Sequence, residues 1–65
     1  MPQVVIYPKE AAALTGNSYE AGKRLLQRVR KHFGKSATSY VSIVEFCSYT
    51  GLPEPVVSAA LLQAA

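Results

Sequence analysis

The stretch KRLLQRVRKHFGK, residues 23–35, holds six of the chain's seven Lys and Arg: Lys23, Arg24, Arg28, Arg30, Lys31 and Lys35. The chemistry open to such a set is anion binding. Cations that neutralise phosphates release condensed counterions, so affinity grows with each contact. Like charges four residues apart on a helix repel by a few tenths of a kcal/mol. Arg24–Arg28 and Lys31–Lys35 carry that cost, and a phosphate backbone would turn the repulsion into attraction. Gln27 and Lys23 add groups suited to base edges, Gln to adenine and Lys to guanine.

The remaining candidates offer less. His32 has no companions for metal or proton chemistry, since zinc takes three or four ligands, and reads as a surface or capping residue. Cys47 reads as a small core residue. Tyr7, Tyr40 and Tyr49 suit a small core and ribbon, whereas Tyr19 is placed to stack on a base. No serine has a His and an acid arranged around it, and no Gly-rich phosphate loop is present. The expectation is a non-enzymatic chain with no cofactor, no metal and no small-molecule substrate.

The elements that must position the basic residues follow from periodicity and punctuation. Val4–Tyr7 is β-prone, and Pro8 suits the first turn of a helix. Lys9–Leu14 is a run of good helix formers ended by Gly16. Asn17 or Ser18 caps the next helix, with Asn17-x-x-Glu20 at capping-box spacing. Apolar residues at Leu25, Leu26, Val29 and Phe33 then mark one face of a helix over about residues 18–33, stopped by Gly34. On that helix Lys23, Gln27 and Arg30 form one polar row, and Arg24, Arg28, Lys31 and, if the helix continues, Lys35 another. After the polar turn 34–39, Tyr40–Ser42 can pair with the N-terminal strand. Ser42-x-x-Glu45 is a second capping box, opening a helix to Gly51. Residues 54–64 read as a fourth helix, with Val56, Val57, Ala60, Leu61 and Ala64 on one face.

At 65 residues the chain is one domain, residues 1–65, able to bury only about 60% of its unfolded surface. Residues 1–35 carry seven cations against Glu10 and Glu20, a net +5, whereas residues 36–65 carry only Glu45 and Glu54, a net −2. This asymmetry points one half towards an anionic partner. A single cysteine excludes an internal disulfide and suits a reducing cytosol. The N-terminus lacks the pattern of a signal peptide, and no apolar run reaches the ~20 residues of a membrane span. A cytoplasmic chain with no membrane association is expected.

A weak echo recurs at an offset of 35 residues. Ile6–Ala12 aligns with Val41–Cys47, and Leu14-Thr15-Gly16 with Tyr49-Thr50-Gly51. Leu25-Leu26-Gln27 matches Leu61-Leu62-Gln63 after a slip of one residue. Duplication and chance similarity between two helical hairpins both account for it.

Lys9-Glu10-Ala11-Ala12-Ala13-Leu14-Thr15-Gly16-Asn17-Ser18 resembles the first helix and turn of a helix-turn-helix. It is most similar to excisionase-type and MerR-type DNA-binding domains, which open with a pattern like K-E-A-A-x-L-x-G-x-S. The resemblance spans roughly residues 4–50 and is that of a small bacterial, phage or mobile-element protein. It implies a mainly α fold: four short helices in a helix-turn-helix, winged-helix-like arrangement with at most a small two-stranded ribbon. Tyr40–Phe46 would be the strand after the wing and the start of the closing helix. Ala12 would be the small residue that lets the second helix cross closely. This chain has Gly22 where the family carries a β-branched residue, and a helix-interior Gly costs about 1 kcal/mol against Ala. Gly22 should therefore mark a close backbone contact or a looser helix start.

The resemblance further implies double-stranded DNA as partner and a role in transcription or excision. Ser18, Tyr19, Lys23 and Gln27 would face base edges; Arg24, Arg28 and Lys31 would bind phosphates, with Arg30 and Lys35 completing the basic set. Pairing of two copies through the apolar residues 54–65 is a further expectation. A protein-interaction module, using the last helix or binding an acidic partner, is the alternative. RNA shares the electrostatics but lacks evident aromatic platforms.

Overall fold

A computed structural model of the chain describes residues 4–64, with side chains described through residue 62. The elements in order are β1 (Val5–Ile6), α1 (Pro8–Thr15), α2 (Tyr19–His32), β2 (Val41–Ser42), α3 (Ile43–Thr50) and α4 (Glu54–Ala64). The protein is mainly helical with a small antiparallel ribbon, as the sequence implies. The ribbon pairs Val5 with Ser42 and Ile6 with Val41, and the Ile43 amide extends it to the Val4 carbonyl at 2.9 Å.

The first three helices start where the first turn finds acceptors. Pro8 opens α1 without an orphan N–H, and the Tyr7 amide donates to Glu10 Oε1 at 2.9 Å. At α3 the capping box is complete: the Ser42 amide donates to Glu45 Oε1 and the Glu45 amide to Ser42 Oγ, both at 3.0 Å. At α2 the cap is Ser18, whose Oγ accepts from the Ala21 amide at 3.2 Å. Asn17 instead donates its side-chain amide to Thr15 Oγ1, so the Asn17–Glu20 spacing forms no box. α1 and α3 both end on a left-handed glycine, Gly16 (φ 68°) and Gly51 (φ 78°).

α1 and α2 cross at Gly22. A Cβ there would lie 2.9 Å from both Cβ and N of Ala12, and closer still to the Pro8 carbonyl oxygen. Glycine is required because backbone, not a movable side chain, fills the space. The residue marks a close contact, and α2 is regular through it.

The core gathers Ile6, Ala11, Leu26, Val29, Val41, Ile43, Phe46, Cys47, Val57 and Leu61, with Leu14, Leu25 and Leu52 packed partly against it. Phe46 is the largest fully buried side chain. Two expected core contributors are corrected. Phe33 follows the last turn of α2 and is 39% exposed, and Val56 is 63% exposed. Helical periodicity marks a broad stripe, but only one layer lies beneath each helix to cover it.

The offset of 35 is a property of the fold. α1 and α3 begin 35 residues apart, and so do α2 and α4. Buried positions coincide in register: Ile6 with Val41, Ala11 with Phe46, Ala12 with Cys47, Gly22 with Val57 and Leu26 with Leu61. Thr15 and Thr50 each return a hydroxyl proton to the carbonyl four residues earlier, at 2.8 Å. The equivalent residues Ile6 and Val41 are directly opposite in the antiparallel ribbon, so a local two-fold axis passes between them. The one-residue slip suggested by the Leu-Leu-Gln match is absent; Leu26 pairs structurally with Leu61, not Leu62.

Candidate nucleic-acid interface

The basic segment becomes α2 because its apolar residues fall on one side. Gly22, Leu26 and Val29 are buried and Leu25 is half-buried. Glu20 in the first turn and Arg30, Lys31 and His32 in the last complement the helix dipole. That accounts for the cations at the end of α2 but not for Lys23, Arg24 and Arg28.

Ser18, Tyr19, Lys23, Arg24, Gln27, Arg28 and Lys31 are all exposed. Among the described residues, no carboxylate forms an ion pair with Lys23, Arg24, Arg28 or Lys31. The Lys23 ammonium lies 5.7 Å from the centre of the Tyr19 ring, a cation–π contact at the N-terminal end of the helix. Ser18 is already occupied as the cap, so its hydroxyl serves the helix before any ligand.

Four of the nine residues assigned to the interface hydrogen-bond within the chain, Ser18 and Gln27 while exposed and two while half-buried. Arg30 is half-buried and its Nε donates to the Ser39 carbonyl at 2.6 Å. Lys35 is half-buried, donates to the Tyr40 carbonyl at 2.7 Å and forms an ion pair with Glu45 at 2.7 Å. Its reading as a continuation of the Arg24–Arg28–Lys31 row is corrected: α2 ends at His32, and the chain turns at Gly34 (φ 70°) and carries Lys35 towards α3. Lys35 and the Ser42 amide hold the Glu45 carboxyl below the usual carboxylate range, against a partial loss of solvent.

The loop over residues 33–40 is the feature that sequence reasoning missed. Gln27 Nε2 reaches the Ala37 carbonyl at 3.5 Å, and Arg30 and Lys35 hold Ser39 and Tyr40. Ser36 and Ser39 close the turn through their hydroxyls at 2.8 Å. These bonds lay the loop along the Gln27–Arg30 edge of α2. The rows of the helix are thereby made unequal, with Arg24, Arg28 and Lys31 open and Gln27 and Arg30 flanked. The polar composition of residues 34–39 signals a turn but not where that turn docks.

Elsewhere the titratable groups are structural. Cys47 is buried in α3, and burial, with Glu54 nearby, pushes its thiol upward. His32 sits edge-on between Phe33 and Tyr49, with ring centres 4.9 and 5.3 Å away. Among the described residues, no cluster of His, Cys, Asp and Glu is arranged to hold a metal ion, and no helix is long and apolar enough to cross a membrane. Compared with protein-family models, with curated proteins and with solved structures, the chain matches none.

Proposed function

We propose that the chain binds double-stranded DNA through the open face of α2, reading sequence from the N-terminal end of that helix as a regulator of transcription or an accessory factor in excision. The observation that carries this reading is the set of four exposed cations, Lys23, Arg24, Arg28 and Lys31, which no carboxylate among the described residues neutralises. A helix serving only as a solvated surface gains from mixed signs; this one forgoes that gain along its exposed length.

Arg24, Arg28 and Lys31 engage phosphates. Tyr19 and Lys23 stand nearest base edges, and Gln27 joins them by exchanging its 3.5 Å bond to the Ala37 carbonyl for a base. Arg30 and Lys35 brace the loop instead. Three phosphate contacts give a log–log dependence of affinity on salt with a slope of about −2.7, whereas all six basic residues of the segment would give about −5.4. A titration of duplex binding between low and physiological salt measures it. A flat dependence removes the proposal. Equal competition by random duplex and by a site selected from a random pool removes its sequence-reading part.

A further inference from the structure

Lys23 has two side-chain neighbours towards the start of α2. Tyr19 stands four residues before it and Glu20 three, and both spacings bring side chains together on a helix. The ammonium goes to the ring. It lies 5.7 Å from the Tyr19 ring centre, and among the described residues it has no carboxylate partner. Tyr19 is 54% exposed at the first position of α2, so packing into the core does not account for an aromatic residue there. We propose that Tyr19 is a positioning residue for base reading: its ring aims the Lys23 ammonium at O6 and N7 of one guanine, and the two residues discriminate that base as a unit. The inference rests on the reading of α2 as a duplex-binding helix and names the base that its first turns select.

Direction supports the pairing. Side chains on a helix lean towards its N-terminus. Lys23 laid over Tyr19 therefore carries its charge towards the end of α2, where a helix in the major groove meets base edges.

The ring has no stacking partner in a duplex. Paired bases offer their edges to the groove and keep their faces in the stack, so Tyr19 meets a base face only when a base is flipped out. The ring face beneath the ammonium already has its use. An ammonium carries three donors. One turned to the ring leaves two for the two acceptors that guanine presents, whereas adenine sets an amino donor beside its N7.

Order decides the size of the effect. Immobilising a rotamer-rich side chain weakens binding, and a ring that already holds the ammonium removes part of that loss. At an exposed site such a contact corresponds to about a two- to fivefold gain.

The geometry is tested first on the free protein. Proton NMR should show the Lys23 ε-methylene shifted upfield by the ring in wild type and in Tyr19→Phe, but not in Tyr19→Leu. An unshifted wild type overturns the inference. The reading is then tested on the preferred duplex drawn from a random pool, with each base pair exchanged in turn. Lys23→Met should lose discrimination at one G·C pair, about fivefold or more. At that pair Tyr19→Leu should lose about two- to fivefold and Tyr19→Phe nothing. Both Tyr19 variants should keep the wild-type salt slope, because no phosphate contact is removed. Adding Tyr19→Leu to Lys23→Met should cost nothing further. Circular dichroism checks that every variant is folded. Full discrimination in Tyr19→Leu, an equal loss in Tyr19→Phe, or additive losses in the double variant overturn the inference and leave duplex binding standing. An unaltered base preference in Lys23→Met does the same. If the wild type binds no duplex, or prefers none, the reading of α2 falls and the inference falls with it.

Discussion

Gly22 shows how one residue can invert an ordinary substitution. In an exposed helix, Gly→Ala stabilises by about 1 kcal/mol. Here the added methyl meets the Pro8 carbonyl and the backbone of Ala12, and must force α1 and α2 apart. Gly22→Ala should destabilise the protein by about 1–3 kcal/mol, read as a lowered urea midpoint. A midpoint raised by the substitution would mean that the crossing is looser than described. The cations divide in the same residue-by-residue way. Arg28→Ala should weaken binding to every duplex alike and reduce the salt slope by about 0.9, the loss of one phosphate contact. Arg30→Ala should leave that slope nearly unchanged and lower the melting temperature, because its Nε is bonded to the Ser39 carbonyl. Equal effects of the two substitutions on the slope would refute the division.

Elements are held mostly at their ends. The Glu45 carboxylate serves α3 three times over: it accepts from the Ser42 amide, pairs with Lys35 and stands in the first turn. Its folded-state pKa is lowered, so its stabilisation is fully present above the unfolded value of about 4.5. That contribution disappears as pH falls through the depressed folded value. Glu45→Gln should therefore be less stable than wild type at pH 7, with the difference closing towards pH 3. Denaturant midpoints at several pH values check it, and a gap independent of pH counts against the pairing.

The same element ends were the most legible part of the sequence. Ser42-x-x-Glu45, Pro8, Gly16 and Gly51 are local signals with local causes, and the helices begin and end on them. Positions decided across the molecule were not legible. Val56 and Val57 are adjacent and chemically alike, yet only Val57 meets the core, because the neighbouring layer covers one side of α4. Arg30 and Lys35 read as free cations since nothing local reveals that residues 36–40 fold back beside them. The Leu-Leu-Gln match misled about register for a related reason. It compares identities, whereas the repeat conserves burial, and Leu25 and Ala60 can share a half-buried position without sharing a side chain.

At the scale of the whole molecule, two small units share one core. Phe46 stands where the first unit has Ala11, and it is fully buried. Domains of this size have a stability of about 5 kcal/mol, and Phe→Ala in a core costs about 3–5 kcal/mol. Phe46→Ala should leave the chain largely unfolded at 25 °C by circular dichroism; a cooperative melt near the wild-type temperature would show that the halves are held by something else. A peptide of residues 1–35 should likewise lack stable helix, since β1 has lost its partner and α2 the residues beneath it.

Because buried positions of the two units coincide at an offset of 35 residues while their outward positions diverge, each exterior is open to redesign without reference to the other. Writing the cations of α2 onto α4 would alter nothing that holds the chain together. The resulting molecule would carry a second basic helix and, on the DNA-binding proposal, would hold two duplexes rather than one.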